Sequence, residues 1–95
     1  MSVLVKLVGF PELKKELGTA EFDVPLEGEG TLSTLFHDLR DQGVPLERGI
    51  LGPDGAVHPT VQVIRNGDEW IGRDDLGRPL RDGDEITVLL MMAGG

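Results

Sequence analysis

The sequence predicts an α+β fold in which a mixed sheet carries one main helix packed on one face. Two short apolar segments open the chain, and a single amphipathic helix separates them from three further strand segments. The last segment, "EITVLLMM", is apolar at both alternating positions, which predicts a strand in the middle of the sheet. We expect one domain over residues 1–95, because a chain of this length supplies one modest core.

The first half of the chain divides at glycine and proline. Residues 3–8, "VLVKLV", are rich in β-branched side chains and predict a strand that lies beside the last one. "PELKKELG" is typical either of one helical turn or of a loop closed by Gly18. "EFDVPL" alternates apolar and acidic residues, which predicts a half-buried strand, and Pro25 favours an edge position because proline lacks the N–H donor.

The main helix is predicted over "TLSTLFHDLRDQG". Its apolar residues recur at the helical spacing i, i+3, i+4 and i+7, with Thr31 as the N-cap and Gly43 just past the end; they are Leu32, Leu35, Phe36 and Leu39. Residues 44–60 are rich in glycine and proline and predict a long loop. "TVQVIR" predicts a strand, Asn66-Gly67 a tight turn, "EWI" a short strand, and Asp82-Gly83 a turn before the last strand.

The composition excludes several classes of function. A formal charge of −8, from 17 acidic and 9 basic residues, argues against binding to nucleic acid or to an anionic membrane. The chain contains no cysteine, which excludes disulfides, thiolate metal sites and cysteine nucleophiles and favours a cytoplasmic protein. "MSVLVKLVGF" has neither the charged leader nor the long apolar run of a targeting segment or a membrane span.

Conventional catalytic and metal-binding patterns are also missing from the sequence. We expect His37 and His58 to be solvated, and Ser33 to be a helix-end residue rather than a nucleophile. "RDGDE" is more typical of turn chemistry than of an acid–base pair. We therefore expect no metal and no cofactor bound by the protein itself, and expect Trp70 to be either a packing residue or an exposed ring beside a turn.

The alternation along the strands predicts which residues face the helix. Lys6 and Thr87 mark the wetter side, so the predicted core residues are Val3, Val5, Leu7, Ile86, Val88 and Leu90. The opposite surface of the sheet, which we call the open face, would carry an apolar patch formed by Leu4, Val8, Ile64, Leu89 and Met91 beside Lys6, Gln62 and Thr87. Such a patch is typical of a partner interface, unless loop 44–60 folds over it.

The final residues, "LLMMAGG", run an apolar strand into two glycines. Gly94 and Gly95 lack a Cβ, so a narrow channel in a partner could close around them. Ala93 to Gly95 would extend about 10 Å beyond the sheet. We therefore expect a thin tip on which the Gly95 carboxylate is the reactive group and Gly94 and Ala93 are the residues that the channel binds.

Three stretches taken together resemble the MoaD/ThiS family of ubiquitin-like sulfur carriers: "NGDEW", "PLRDGDEITVLL" and the terminal "AGG". The resemblance covers nearly the whole chain and implies the β-grasp fold. One departure is that Met91-Met92 stands where many members of the family carry a stiff pair such as Pro-Pro. The extended loop is more similar to the longer carriers of archaeal MoaD or cysteine-biosynthetic type.

The resemblance implies that the Gly95 carboxylate is adenylated and becomes a thiocarboxylate, with ATP used by the activating enzyme. The implied partners are a ubiquitin-activating-type enzyme similar to MoeB or ThiF and a sulfur acceptor such as a MoaE-like large subunit. Molybdopterin synthesis is the leading pathway, followed by cysteine or thiazole synthesis. The alternatives are a ubiquitin-like modifier joined to lysines through Gly95 and a passive β-grasp interaction module.

Overall fold

The computed structural model describes residues 1–28 and 30–91, which form five strands and two helices. In chain order these are β1 (Ser2–Val8), α1 (Pro11–Leu17), β2 (Glu21–Pro25), α2 (Leu32–Asp41), β3 (Val61–Arg65), β4 (Glu69–Ile71) and β5 (Glu85–Leu90). The strands lie in the order β2-β1-β5-β3-β4, with β1 and β5 parallel and the other neighbours antiparallel. The predicted α+β class, the central last strand and the edge position of Pro25 are confirmed.

Local signals fix both helices. Thr31 caps α2 as predicted, and its side chain exchanges hydrogen bonds with Thr34 in a capping box. The open alternative for "PELKKELG" is resolved as a helix: α1 begins at Pro11, and Gly18 ends it in the left-handed conformation, where its N–H donates to the carbonyl of Lys14. Neither helix of the described residues is long and apolar enough to cross a bilayer.

The core lies between the helices and one face of the sheet. Val3, Val5, Ile86 and Val88 are fully buried there, as their alternation predicts, and Leu7 is nearly so. Leu90 is the exception to the prediction: it is only partly buried and packs against the margin of the core.

The long loop between α2 and β3 contributes to this same core. Its apolar side chains Val44, Leu46, Ile50 and Val57 are all at most 1% exposed and join the cluster formed by the sheet and the helices. The loop therefore packs on the helix side of the sheet. The sequence left open that this loop covers the open face instead of a partner doing so. The structure excludes that alternative.

The last strand is shorter than predicted. β5 ends at Leu90, which is paired with Val61 at the start of β3, so the ladder ends there and Met91 lies beyond it. The prediction of a strand through Met91 is therefore wrong, and the part of that prediction that falls on Met92 lies outside the described residues.

Candidate functional site

The strand register brings side chains from four strands together on the open face. Lys6 lies opposite Thr87, Thr87 opposite Ile64, and Ile64 opposite Trp70. Directly opposite residues in a sheet point to the same side, so these four form one row across the surface. The next row toward the end of β5 consists of Val8, Leu89 and Gln62.

The exposed apolar area lies near the end of β5. Val8 and Met91 are each 44% exposed, and Leu89, the partner of Val8 in the last parallel pair, is half-buried. Ile64 and Trp70 extend this area toward β4, and Trp70 is 57% exposed. Because exposed apolar side chains are grouped here rather than scattered, the area has the character of a docking surface.

Trp70 is the residue that sequence reasoning left undecided. It belongs to the open face, but the predicted turn alone does not place it there. Asn66 and Gly67 have φ values of 54° and 82° and turn β3 back into β4. A two-residue turn at Asn66-Gly67 would instead pair Val63 with Trp70 and turn the ring toward the core. In the structure Asp68 also lies in the turn, so Arg65 pairs with Glu69 and Trp70 lies opposite Ile64.

An ion pair separates Leu4 from the rest of the predicted patch. Nζ of Lys6 lies 2.7 Å from Oε1 of Glu85, and the hydrogen bond to Glu85 followed by its charge raises the pKa of Lys6. Leu4 lies opposite Asp23 and Glu85, so its surroundings are acidic. The structure thus brings Val8, Ile64, Leu89 and Met91 toward one area and leaves Leu4 beyond the ion pair.

The root of the tail is held by one backbone contact after the strand ends. The N–H of Met91 donates to the carbonyl of Thr60 at 2.7 Å. The predicted reactive residues Ala93, Gly94 and Gly95 lie outside the described residues, so the structure defines the point from which they start. That point adjoins the exposed apolar area, because Met91 follows Leu89 by two residues.

The acidic turn before β5 has a structural role, in agreement with the turn chemistry predicted for it. Asp84 is 5% exposed, and its carboxylate accepts hydrogen bonds from the Arg81 N–H at 2.7 Å, the Asn66 side chain at 3.0 Å and Nε of Arg65 at 2.9 Å. Burial alone raises the pKa of Asp84, but these hydrogen bonds and the charge of Arg65 outweigh it and leave the pKa lowered.

The two histidines differ in their surroundings. His37 is on the solvent side of α2 with 70% of its side chain exposed, as predicted. His58 is half-buried, and its Nδ1 lies 2.7 Å from the hydroxyl of Thr60, so the prediction of a solvated ring is wrong for this residue. No sequence pattern indicates this contact, because it depends on the turn into β3.

Comparison with known proteins shows the family. No model of a protein family matches the chain. Small archaeal modifier protein 3 of Haloferax volcanii is 43% identical over 86 residues, which cover 90% of this chain and 92% of that protein. The sulfur carrier protein ThiS of Thermus thermophilus is 35% identical over 71 residues, which cover 75% of this chain and 86% of that protein.

Solved structures agree with these relatives. The crystal structure of SAMP1 from Haloferax volcanii has a TM-score of 0.79 at 27% identity, over 100% of both chains. CysO in the BexX/CysO complex of Amycolatopsis orientalis has a TM-score of 0.70 at 26% identity, over 98% of this chain and 99% of that one. The chain belongs to the MoaD/ThiS family of ubiquitin-like sulfur carriers and modifiers, with the β-grasp fold. It is a carrier or modifier protein and is not itself an enzyme.

Proposed function

We propose that this protein is a sulfur carrier whose Gly95 carboxylate is converted to a thiocarboxylate that donates sulfur in biosynthesis. Molybdopterin synthesis is the first pathway to test, followed by cysteine and thiazole synthesis. The observation that supports the proposal most is the exposed apolar area around Val8 and Leu89 at the root of the tail. A partner that docks there has the chain end within reach.

The reach follows from chain geometry. Four residues follow Met91, and at about 3.3 Å per residue they can extend at most about 13 Å from it. The body of the carrier would then stay outside a partner while Gly95 enters the active site. Gly94 and Gly95 suit a narrow channel, because backbone walls can approach a residue that has no Cβ.

The proposed activation requires ATP bound by a partner and no cofactor of the carrier. A carboxylate oxygen of Gly95 attacks the α-phosphorus of ATP, the acyl–AMP bond forms, and pyrophosphate leaves. Hydrosulfide supplied by a sulfur donor then attacks the carbonyl carbon. The bond between this carbon and the AMP oxygen breaks, AMP leaves with the electron pair, and one proton is released. The partner for the first step would be a ubiquitin-activating-type enzyme similar to MoeB or ThiF. Because this step consumes ATP, we place the protein in the cytoplasm.

The acceptor enzyme would use the same surface in a later complex. CysO, a structural neighbour, was solved in complex with BexX. By analogy we propose that this carrier docks onto an acceptor enzyme, for which a MoaE-like large subunit is the leading candidate. Because both enzymes would need the exposed apolar area beside the tail, the activating and acceptor enzymes would bind in turn rather than together.

The test is the intact mass of the protein isolated from its own cells. We expect a fraction of the protein to show the mass increase that results when sulfur replaces one oxygen. This heavier fraction should disappear after mild oxidation and should be missing from cells that lack the activating enzyme. A carrier that stays entirely at the unmodified mass in cells with intact sulfur transfer would contradict the proposal and favour a passive interaction module.

A second function is supported by the relatives that carry the name modifier. Small archaeal modifier protein 3 is 43% identical to this chain. In a modifier the activated Gly95 carbonyl would form an amide bond with the Nζ of a lysine, AMP would leave, and a proton would be released. Adducts of higher mass in the same experiment, cleaved to release the intact chain, would indicate this role.

A further inference from the structure

The turn that enters β3 contacts both the core and the root of the tail. The carbonyl of His58 accepts the N–H of Val61 at 2.9 Å, which closes a turn through Pro59 and Thr60. The N–H of His58 donates to the carbonyl of Ile50 at 2.8 Å, and Ile50 is fully buried. The turn is therefore anchored by backbone contacts that do not use the His58 side chain.

The side chain of His58 fixes the residue at the end of this turn. Its Nδ1 accepts the N–H of Thr60 at 3.2 Å and lies 2.7 Å from the Thr60 hydroxyl. An acceptor that bonds to the N–H two residues further on is the geometry of an Asx turn, with an imidazole nitrogen in place of the Asn oxygen. Thr60 is thus held by two contacts to one ring atom.

Thr60 in turn holds the chain where it leaves the sheet. The peptide group between Thr60 and Val61 makes two hydrogen bonds. Its N–H donates to the backbone carbonyl of His58, and its carbonyl accepts the N–H of Met91 at 2.7 Å. The ladder between β3 and β5 ends one residue earlier, at the pair Val61 and Leu90. The contact to Met91 is the last described hydrogen bond before the tail.

We propose that His58 and Thr60 are positioning residues for the activation of the tail. They fix the height and direction at which the chain departs from the open face, and so where Gly95 arrives once the face is docked. This inference rests on the proposed function. It separates two tasks: the exposed apolar area around Leu89 sets how tightly the carrier binds, and the His58 turn sets how often the bound carboxylate is in line to react.

Kinetics can separate these tasks, because a carrier is a substrate of its activating enzyme. A docking defect raises KM for the carrier, whereas a misplaced carboxylate lowers kcat. A displacement of about 1 Å from the reacting position can cost roughly a hundredfold in rate. A lost hydrogen bond that only broadens the position of the tail would cost less, so we expect a decrease of roughly tenfold.

Two pairs of variants test the proposal, with ATP–pyrophosphate exchange by the cognate activating enzyme as the assay. His58→Ala removes the acceptor, and His58→Asn restores one at the same branch of the side chain, since Asn readily accepts from the N–H two residues on. Met91→Pro removes the donor to Thr60, and Met91→Ala keeps this N–H while shortening the side chain.

We expect kcat to fall roughly tenfold in His58→Ala, with KM close to the parent, and to be near parental in His58→Asn. Both Met91 variants lose part of the docking area and should raise KM to a similar degree, but only Met91→Pro, which lacks the N–H, should also lower kcat roughly tenfold. The amide of Met91 should exchange faster with solvent in His58→Ala and return to parental protection in His58→Asn. Parental kcat in both His58→Ala and Met91→Pro would overturn the positioning role while leaving the proposed function intact. If the parent protein itself supports no exchange, the proposed function fails and the positioning role falls with it.

Discussion

The guanidinium of Arg65 lies 2.8 Å from Oδ2 of Asp84, and only 14% and 7% of these side chains are exposed. The pair joins the end of β3 to the entrance of β5, the two strands that carry Ile64 and Leu89. Arg81 and Asn66 complete the coordination of the carboxylate. This cluster therefore supports the end of the sheet opposite the tail, and its role is in folding rather than in chemistry.

Replacing Asp84 should destabilise the protein strongly. Asp84→Ala leaves the largely buried Arg65 charge with only its longer contact to Glu69 at 3.5 Å, so we expect a loss of about 3 kcal/mol in the free energy of unfolding. Urea denaturation measures it. The control is Asp74→Ala at an exposed position, which should change the free energy by less than about 0.5 kcal/mol. Equal stability of the two variants would contradict the structural role of the cluster.

The lowered pKa of Asp84 predicts a pH dependence of stability. A carboxyl whose folded pKa lies below its unfolded value of about 3.9 contributes stability that is complete above that value. This contribution is lost as the pH falls through the folded pKa. The parent should therefore lose more stability than Asp84→Asn when urea denaturation is repeated from pH 5 down to about pH 2. Parallel curves for the two proteins would argue that Asp84 does not titrate as described.

Gly9 is predicted to be required at the junction of β1 and α1. Its φ is 90°, and a Cβ added there would lie 3.1 Å from Cβ of Leu90. Gly18 has a similar φ of 79°, but nothing lies within 4 Å of the added atom. Both Gly→Ala variants carry backbone strain of about 1–2 kcal/mol, so an additional loss in Gly9→Ala measures the contact with the end of β5. Equal melting of the two variants would show that Leu90 adjusts freely.

The two faces of β5 should respond differently when an aspartate is introduced. Val88 is fully buried, so Val88→Asp should unfold the domain, whereas Leu89 lies on the open face and Leu89→Asp should leave the fold intact. In the exchange assay Leu89→Asp should raise KM for the carrier roughly tenfold or more, since it places a charge in the docking area. Unfolding by both variants to the same degree would show that the open face is not a free surface.

Much of the fold could be predicted from local pattern, because it is set by signals that act over a few residues. Thr31 and Gly43 mark the ends of the main helix, and Asn66-Gly67 marks the hairpin. The apolarity of β5 at both alternating positions reflects its place in the middle of the sheet. These signals agree with one another, which is why the order of the elements followed from them.

The features that were missed depend on contacts between residues distant in the chain. The residues of loop 44–60 that reach the core, such as Leu46 and Ile50, have no strand or helix period to indicate their burial. The burial of Asp84 depends on Arg65, and the role of His58 depends on Met91 ending beside Thr60. The reactive residues Ala93 to Gly95 were inferred from glycine chemistry and the family resemblance, and they remain a prediction.

The central claim, that Gly95 presents the activated carboxylate, is tested most directly by changing the length of the tail. Deleting Gly95 leaves a carboxylate about 3.3 Å short, and adding one alanine after it overshoots and introduces a Cβ. We predict that both variants melt like the parent, because a tip beyond the last paired residue buries little surface. We predict that the parent is active in ATP–pyrophosphate exchange with the cognate activating enzyme and that both variants fail in it. Exchange at the parental rate by either variant would contradict the account.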